Sequence, residues 1–492
     1  MASITETYIK HAQSAPEKIA LQTNDQQINY YDWYKMICKT ANWLDSLGFD
    51  QHTVGILLPN GIHLLQLFAG AAKAGWVTVL YDLKWTETEL DKRLILSKPT
   101  ILITSKALFP KIRHLSTNIL IWEEIIDEIE KASSIRNDEV NGETPFYMGF
   151  TSGTTGNPKS FIRTHDSWAA SFERSRIDFQ LDKNDHVIIP GALIHSHFLY
   201  GAISTLFLGG TVYLIEKFSP KMTLSLMASQ PITTVYVVPT MMTAFLEYGR
   251  QMDKNMKIIS SGAKWEENAK QQIKQVFQNI SIYEFYGASE LSFVTVLTDK
   301  ENDRKPGSVG RPCHNVEIQI RRSNMEPAKP YELGKIYVKS NMLFLGYLEP
   351  DEFGDQCRIR SIHDENGWVT VNDMGYMDEE GYLYISGRKN NMILYGGINI
   401  FPGEIEAVIS QHPAVDEVAV IGLADSYWGQ IVAAVLKGST TIPVLKKFCR
   451  QHLSSHKIPR KWFFIDEMPY TTSGKIARQQ LKEDIESKMM SH

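Results

Sequence analysis

Short apolar runs alternate with longer amphipathic segments through the N-terminal half of the chain. TVGILLP is followed by HLLQLFAGAAKAGW, VTVLY, TETELDKRLILS and TILITS, and further short runs follow as HVIIP, TVYLIE, TTVYVVP, KIIS and SIYEFYG. This alternation predicts βαβ units and a parallel sheet. Several runs end directly in Gly, Pro, Ser or Thr clusters, and loops at the carboxyl ends of parallel strands are where ligands bind in such sheets.

The pattern changes twice towards the C-terminus. After Gly310, shorter runs such as VEIQIR, KIYVK and YLYISG predict an antiparallel, β-rich subdomain. From Arg388 onward, INIFPGEIEAVISQHPAVDEVAVIGL and TIPVLKKFCRQHL predict helices packed on strands in a small α+β unit. We therefore expect an α/β fold with a large N-terminal domain over residues 1–387 and a small C-terminal domain over residues 388–492, divided near the polar segment GRKNN.

Composition favours small-molecule chemistry in a multidomain chain. The 492 residues are 43% hydrophobic, and the formal net charge of −5 comes without a basic block interleaved with aromatics, which argues against nucleic acid as a partner. Four cysteines without CxxC spacing argue against zinc or disulfides and favour a reducing, cytoplasmic location. We also expect no export leader and no transmembrane segment, and the oligomeric state is left open.

The segment FTSGTTGNPKS combines a flexible backbone, hydroxyl groups and a lysine directly after the apolar run FYMGF. Glycines allow positive φ and remove Cβ atoms, so successive N–H groups can turn towards one anion. The candidate ligands of a polyphosphate are Ser152, Gly153, Thr154, Thr155, Gly156 and Lys159. The loop is not a Walker A sequence, and an ordinary surface turn explains it equally well when the loop is taken alone.

A second candidate segment, YGASE, follows the strand-like run SIYEF. Tyr286 offers an aromatic face, and Gly287 allows a close approach of the backbone. Ser289 offers a hydroxyl, and Glu290 offers a hard oxygen ligand for Mg²⁺, which a metal-bridged phosphate site requires. Taken alone, a glutamate such as Glu290 is more often a salt-bridged or capping residue than a metal ligand.

Two later segments add candidate nucleotide contacts. VNDMGYMDEEGYLYISGRKNN contains Asp373, whose carboxylate can accept both hydroxyls of a ribose, and Arg388. PYTTSGKIAR places Lys475 behind a Ser/Gly turn near the C-terminus. The ordinary alternatives are a β-turn with solvated charges and a solvated terminal lysine.

The order of these segments resembles the adenylate-forming superfamily of acyl-CoA synthetases, nonribosomal-peptide adenylation domains and luciferases. The resemblance covers essentially the whole chain, and it rests on TSGTTGNPK, SGAK, YGASE, GRP, WVTVND, GRKNNMILYGGINIFPGEIE and PYTTSGK in family order. It implies a reaction in two steps. A carboxylate first attacks the α-phosphate of MgATP to give an acyl adenylate and pyrophosphate, and the thiol of CoA then displaces AMP to give a thioester.

The resemblance also implies residue roles. Thr151 to Lys159 would hold the β- and γ-phosphates, Glu290 would ligate Mg²⁺, and Asp373 would bind the ribose. Lys475 would bridge the substrate carboxylate and the ribose or α-phosphate oxygens, as a cation placed where negative charge develops. The adenine would lie against two segments that contain Ser261, Gly262 and Ala263, and Tyr286, Gly287, Ala288 and Ser289.

Family members run the two steps with two positions of a mobile C-terminal domain, which rotates about a hinge just after the arginine of the GR motif. In the thiolation position, Gly396 and Gly397 would approach the substrate and leave room for the pantetheine arm. The chain departs from the family at the hinge, where Asn390 and Asn391 replace charged residues. Asparagine tolerates left-handed backbone geometry, so a hinge is still expected, without the charge that would favour one domain position.

The segment PGALIHSHFLYGAIS resembles the family's wall of the acyl pocket, and His195 matches its histidine or aromatic. His195 and His197, two apart in a segment that we predict to be extended, could share one face and bind metal, but without an evident third ligand we prefer packing or pocket lining. The aspartate of amino-acid-activating relatives is missing, so the acid should have an apolar tail, fatty or aromatic. Further apolar wall is expected from Val238, Pro239, Phe293 and Val294.

Three functions of different classes remain open at this point. The chain could be an acyl- or aryl-CoA ligase, a stand-alone enzyme that adenylates an acid and loads a carrier protein's phosphopantetheine arm, or a nucleotide-binding protein without catalysis. Glu290, Asp373 and Lys475 together favour catalysis over nucleotide binding alone. The two thiol acceptors, CoA and the carrier protein, present the same arm, so the sequence does not separate them.

Overall fold

A computed structural model gives the fold of the chain. It describes residues 3–115, 117–152, 158–262, 265, 267–350, 357–388, 391–395, 398–425, 428–453, 455–471 and 474–490. The strands are β1 Ile19–Gln22, β2 Gln27–Asn29, β3 Thr53–Leu57, β4 Val77–Leu80, β5 Ile101–Thr104, β6 Asn118–Ile121, β7 Pro145–Ser152, β8 Pro158–Thr164, β9 His186–Ile189, β10 Thr211–Leu214, β11 Thr234–Val237, β12 Met252–Ser260, β13 Phe277–Ala288, β14 Ser292–Thr298, β15 Arg311–Pro312, β16 Glu317–Arg321, β17 Gly334–Lys339, β18 Gly346–Pro350, β19 Cys357–Arg360, β20 Asp373–Met377, β21 Leu383–Arg388, β22 Ile393–Tyr395, β23 Ile398–Ile400, β24 Val415–Asp425, β25 Gly429–Gly438 and β26 Lys461–Phe464.

Helices lie between most of these strands, as the alternating pattern predicts. They are α1 Tyr8–Ser14, α2 Tyr30–Ser46, α3 Ile62–Lys73, α4 Glu87–Ser97, α5 Phe109–Ile112, α6 Trp122–Lys131, α7 His165–Asp178, α8 Ser196–Leu208, α9 Pro220–Ser229, α10 Pro239–Tyr248, α11 Glu267–Val276, α12 Asp299–Arg304, α13 Pro402–Ile409, α14 Ile442–His452 and α15 Arg478–Met490. Helix α4 begins at Glu87 because the Thr86 side chain accepts from the Glu89 N–H, and the Glu89 carboxylate accepts in return from the Thr86 N–H.

Two large sheets form the N-terminal part of the chain. One has the strand order β19-β18-β8-β7-β4-β3-β5-β6, and its run β7-β4-β3-β5-β6 is parallel. The other has the order β15-β14-β13-β12-β11-β9-β10-β1-β2, and its run from β13 to β1 is parallel. The predicted βαβ architecture is confirmed.

Helix α3 differs from the amphipathic segment that its sequence predicts. It is buried on nearly all sides, including the polar Gln66, because it packs between α2 and strands of the first sheet. The Gln66 amide donates to the Thr40 hydroxyl on α2 over 3.1 Å, which gives this polar group a buried partner. A helix enclosed by other elements shows little amphipathic period, and the sequence of one segment does not reveal that enclosure.

The C-terminal third contains two smaller sheets. The predicted β-rich subdomain is the antiparallel sheet β16-β17-β20-β21. A separate apolar core, from Ile393 to Ile485, lies among α13, α14, α15 and the sheet β23-β22-β25-β24, with β26 added beside β25. Strand β21 ends at Arg388, which pairs with Asp373, so the first residue assigned to the small domain still belongs to the preceding sheet. No helix in the described part of the chain is long and apolar enough to cross a bilayer.

Candidate active site

One large cleft brings together segments that are far apart in the sequence. Its volume is about 3520 Å³, and it lies between the two large sheets, the antiparallel subdomain and the C-terminal unit. The residues predicted from sequence that line it are Thr151, Lys159, His195, Ser261, Gly262, Tyr286, Gly287, Ala288, Ser289, Glu290, Asp373 and Lys475. Gly153, Thr154, Thr155, Gly156, Ala263, Gly396 and Gly397 lie outside the described residues, as does Asn390, and the Ser152 and Arg388 side chains are not described.

Strands β7 and β8 place the two ends of the candidate phosphate loop side by side. The strands are antiparallel, and Thr151 on β7 pairs with Lys159 on β8. Strand β18 continues the sheet on the far side of β8, where Tyr347 pairs with Phe161. The Lys159 ammonium lies 5.1 Å from the centre of the Tyr347 ring, so the cation is positioned at the cleft by this neighbouring strand.

Glu290 lies in the turn between β13 and β14 and is only 6% exposed. The Tyr347 hydroxyl donates to its Oε1 over 2.8 Å, and the Glu290 carbonyl accepts from the Phe344 N–H over 2.9 Å. Among the described residues, no three His, Cys, Asp or Glu side chains form a group that could hold a metal. A single carboxylate fits Mg²⁺, which proteins usually hold with one or two carboxylates, substrate phosphates and water.

Asp373 opens β20 and is likewise nearly buried, at 6% exposure. The Tyr286 hydroxyl donates to its Oδ2 over 2.6 Å, which joins the candidate adenine face to the candidate ribose ligand. This hydrogen bond to a charged acceptor orients the carboxylate before any ligand arrives. Sequence reasoning assigned the two residues to separate contacts and did not foresee their direct link.

Gly287 occupies a position that no larger residue fits. The pairing register of β13 and β14 shifts between Tyr286 and Gly287, which marks a bulge. A Cβ atom at residue 287 would lie 2.0 Å from the Ser292 carbonyl oxygen. The close approach of the two strands brings Ser289 and Glu290 to the cleft directly after the bulge.

The loop that carries Lys475 reaches the N-terminal part of the chain. The Thr471 N–H donates to the Lys475 carbonyl over 2.7 Å, and Tyr470 and Ile476 form a bridge that closes a tight hairpin. A Cβ atom at Gly474 would lie 3.4 Å from the Thr240 hydroxyl and 3.8 Å from Cγ2 of Val238. The lysine loop therefore faces residues at the start of α10, beside the expected acyl wall.

The predicted extended conformation of the segment around His195 is wrong. His195 is the N-cap of α8, which begins at Ser196, so His197 already lies in the helix. Residues two apart on a helix do not share a face, so the two histidines do not form the side-by-side pair expected of a strand. The segment was misjudged because its aromatic and β-branched residues also suit a strand, and helices and strands cannot be told apart in short apolar runs.

His197 is held as a neutral imidazole beside the expected acyl wall of the cleft. Its Nε2 donates to the Val237 carbonyl over 2.9 Å, which leaves Nδ1 as an acceptor. Burial lowers the pKa of His197 to about 4, and the hydrogen bond to Val237 acts in the opposite direction. His197 therefore brings no positive charge to the cleft near neutral pH.

Aromatic rings close the same side of the cleft. The Tyr200 and Phe293 ring centres lie 4.8 Å apart, those of Phe285 and Phe293 lie 4.5 Å apart, and Trp168 lies 5.5 Å from Tyr200. These residues line the cleft together with Val238 and Pro239. Val294, the next residue after Phe293 on β14, is buried without lining the cleft, because successive strand side chains point to opposite faces.

Comparison with known proteins gives consistent matches along the chain. The model of the AMP-binding enzyme family matches residues 9–348, and that of the AMP-binding enzyme C-terminal domain matches residues 404–475. The chain is 46% identical to an uncharacterised acyl-CoA ligase, YhfT, of Bacillus subtilis, over 98% of each chain.

Solved structures of an o-succinylbenzoate CoA synthetase from Bacillus subtilis are also similar to the chain. The complex with its acyl-adenylate intermediate has 27% identity and a TM-score of 0.85, over 96% of this chain and 97% of that one. The complex with ATP and a magnesium ion has 27% identity and the same TM-score, over 96% and 98%.

Proposed function

The chain belongs to the AMP-binding enzyme family, and from this premise we propose that its acid is a compact monocarboxylic acid with an uncharged aryl tail. The protein is an AMP-forming acyl-CoA ligase that uses ATP, Mg²⁺ and CoA. What remains to be assigned is the acid and the part that each residue plays. The described geometry supports one arrangement of the two steps.

In the first step, a carboxylate oxygen of the acid would attack the α-phosphorus of ATP, and the bond to the β-phosphate oxygen would break to release pyrophosphate. Lys159 would bind the departing phosphates, and Glu290 would hold Mg²⁺, which would supply positive charge to stabilise them. Lys475 would stabilise the charge that develops at the α-phosphate. Asp373, oriented by Tyr286, would bind the ribose hydroxyls.

In the second step, the sulfur of CoA would attack the acyl carbon and AMP would leave with the carboxylate oxygen. The thiol gives up its proton on attack, and AMP departs as the phosphate anion. The arrangement of Gly474 beside Thr240 suits the first step, because it brings the lysine loop to the acyl side of the cleft. We propose that the C-terminal unit leaves this position before CoA enters.

The observation that carries the choice of acid is the closed aromatic end of the cleft. Trp168, Tyr200, Phe285 and Phe293 pack against one another along this side of the cleft, and we propose that they leave no room for a long acyl chain there. Rings packed at these distances are part of a dense interior, and opening a tunnel through them would cost several kcal/mol. A flat aryl group can lie against them without displacing them.

Charge distinguishes this chain from a relative whose acid carries a second carboxylate, as o-succinylbenzoate does. The described residues at the aromatic end include no lysine or arginine, and they are Tyr147, Phe161, Trp168, Ile194, Ser196, His197, Phe198, Tyr200, Val238, Phe285 and Phe293. His197 is uncharged there, as its lowered pKa indicates. The buried Arg163 nearby donates to backbone carbonyls and to the Ser292 hydroxyl, so a second carboxylate would be buried without a cation to donate to it, which is unfavourable.

A panel of acids tests this proposal. Benzoate and substituted benzoates, o-succinylbenzoate, and saturated fatty acids of increasing length are compared by the rate of pyrophosphate release, with and without CoA. We expect the highest kcat/KM for an uncharged aryl acid, and a penalty of at least about tenfold for a second carboxylate. A long-chain fatty acid as the best substrate would contradict the proposal.

Phe293→Ala provides the matched variant for the panel. Removing one ring from the closed end should improve longer acids relative to benzoate, because the vacated volume extends the pocket. The assay without CoA also separates acceptors. Loading of a carrier protein instead of CoA has no support from the relatives described above, which are named as CoA ligases or synthetases, and thioester formation on free CoA would agree with them.

A further inference from the structure

Arg163 is a buried cation that none of the roles proposed so far uses. It lies on β8, four residues after Lys159, and only 1% of its surface is exposed. Side chains alternate along a strand, so Lys159, Phe161 and Arg163 share one face of β8. Lys159 faces the cleft, whereas the Arg163 guanidinium is enclosed behind it.

The Arg163 guanidinium is bonded to the turn that carries Glu290. One nitrogen, Nη1, donates to the Ser289 carbonyl over 2.9 Å and to the Glu290 carbonyl over 3.4 Å. The other, Nη2, donates to the Ser292 hydroxyl oxygen and, over 2.7 Å, to the Met342 carbonyl. A planar fork of donors is suited to several fixed acceptors at once, which a lysine or an apolar side chain is not.

Burying this cation costs desolvation free energy, so its contacts must offset that cost. Burial lowers the pKa of Arg163 to about 9, and the Glu290 carboxylate acts in the opposite direction, so the side chain stays charged near neutral pH. The contacts that the charge makes are with backbone carbonyls and one hydroxyl. Arg163 thus fixes the path of the turn instead of simply pairing with an acid.

Tyr347 holds the same turn through the Glu290 side chain. Its hydroxyl donates to Glu290 Oε1 over 2.8 Å, and β18 is bonded directly to β8. The two residues that hold Glu290 therefore lie on adjacent strands, Arg163 on β8 and Tyr347 on β18, and β8 also carries Lys159. The turn belongs to one large sheet, while the strands that hold it belong to the other.

We infer that Arg163 is a positioning residue for metal binding, which fixes the turn so that the Glu290 carboxylate faces the phosphate site next to Lys159. The inference rests on the proposed role of Glu290 as the Mg²⁺ ligand. Residues behind a metal ligand commonly change metal affinity by about 10- to 100-fold when they are removed. Arg163 acts through the backbone of the ligand, and Tyr347 acts through its carboxylate.

Three variants separate these contributions. Arg163→Met removes the charge and all four hydrogen bonds, Arg163→Lys keeps the charge without the fork, and Tyr347→Phe removes only the hydroxyl on Glu290. Arg174→Met is the matched control, because Arg174 on α7 is another arginine with 1% exposure and does not line the cleft. Urea unfolding of each variant establishes that it is folded before its binding is measured.

The first measurement uses Mn²⁺ and α,β-methylene-ATP, a nucleotide whose α–β link cannot be cleaved, and it follows bound Mn²⁺ by electron paramagnetic resonance. We expect the Kd of the metal–nucleotide complex to rise about 10- to 100-fold in Arg163→Met, and less in Arg163→Lys and Tyr347→Phe. In turnover, the KM for MgATP should rise while the KM for the acid stays within about twofold, a split that general loss of packing would not produce.

The inference is overturned if the Arg163 variants bind Mn²⁺ with the affinity of Arg174→Met, or if the KM values for acid and MgATP rise together. If Arg163→Met does not fold, Arg163→Lys and Tyr347→Phe still decide between these outcomes. Metal binding is measured without any acid, so it stands apart from the proposed function. A wild-type protein that binds Mn²⁺ and nucleotide but releases no pyrophosphate with any acid would contradict the proposed function and leave this inference intact.

Discussion

At the scale of single residues, the two carboxylates proposed as nucleotide and metal ligands are each held by a tyrosine hydroxyl. Tyr347 donates to Glu290 over 2.8 Å, and Tyr286 donates to Asp373 over 2.6 Å. Both acids are nearly buried, so neither could be left without a partner at low cost. The hydroxyls therefore set the direction of each carboxylate before a ligand binds, which reduces the entropy lost on binding.

Tyr286→Phe tests this orientation at the nucleotide end. The variant keeps the ring that we propose lies against adenine and removes only the donor to Asp373. Because a hydrogen bond to a charged group contributes about 1.5 to 3 kcal/mol, we expect the KM for ATP to rise about tenfold or more. The measurement is the steady-state rate of pyrophosphate release as ATP and acid are varied separately.

Tyr337→Phe is the control for this change. Tyr337 lies on β17, is mostly buried, and donates to the sulfur of Met325 outside the cleft. Removing the Tyr337 hydroxyl should leave the KM for ATP and the KM for the acid as they are in the wild type. An unchanged KM for ATP in Tyr286→Phe would show that Asp373 is oriented by other contacts, and a parallel rise in the KM for the acid would point to a wider disturbance of the cleft.

At the scale of elements, the hairpin of β13 and β14 is the part of the fold that places Glu290. Its bulge at Gly287 brings Ser292 within 2.0 Å of where a Cβ atom would stand. Gly287→Ala must push the strands apart, since the obstacle is backbone. We expect a loss of about 1 to 3 kcal/mol in the free energy of unfolding, as is usual for overpacking. Urea unfolding measures that loss.

Gly287→Ala should lower the rate of adenylation by more than the loss of protein stability explains, because the turn after the bulge carries the proposed metal ligand. Gly61→Ala is a suitable control, since an added Cβ there meets no heavy atom within 4 Å and the backbone is extended. If Gly287→Ala retains wild-type rates of pyrophosphate release while it is destabilised, the hairpin supports the fold without setting the site.

Elements of the site could be predicted from sequence where one segment contains both a strand and its ligand. SIYEFYGASE contains the C-terminal part of β13 and Glu290, and the parallel sheet places such loops at one edge. Tyr347 and Arg163 could not be predicted in this way. Each acts on Glu290 from another sheet, and no local pattern marks a tyrosine or arginine whose partner is a distant turn.

The helix that begins at Ser196 shows a different limit. Its sequence SHFLYGAISTLFL is mostly apolar, so it has no clear amphipathic period to distinguish it from a buried strand. The enclosing sheet strands and helix α7 decide its form. The pattern of polar and apolar residues within one segment does not predict which other elements pack against it.

At the scale of the whole molecule, the proposed two-step reaction requires the C-terminal unit to change its position. Gly474, next to Lys475, would place a Cβ atom 3.4 Å from the Thr240 hydroxyl on α10. A cysteine sulfur at residue 240 would take the place of this hydroxyl, next to the Cβ of a cysteine at residue 474, so we expect the two cysteines to form a disulfide on oxidation. The pair Thr240→Cys and Gly474→Cys therefore offers a reversible lock on the position proposed for the first step.

The lock should be built in a Cys357→Ser background, because Cys357 is half-buried while Cys38, Cys313 and Cys449 are buried. In the oxidised protein, we expect acyl-adenylate formation in a single turnover to persist and transfer to CoA to fall by at least about tenfold, since the C-terminal unit could not leave the position proposed for the first step. Reduction should restore transfer.

Gly474→Cys alone, with Thr240 intact, measures the effect of a side chain at a glycine with φ of +77°, where a strain of about 1 to 2 kcal/mol is expected. The single variant separates two effects. Reduction does not relieve the backbone strain at residue 474, whereas reduction opens the disulfide lock. If the oxidised double variant transfers the acyl group to CoA as fast as the reduced one, the lysine loop can stay beside Thr240 through both steps, and rotation of the C-terminal unit is not required. If neither step proceeds until reduction, the position beside Thr240 is not the one in which the adenylate forms.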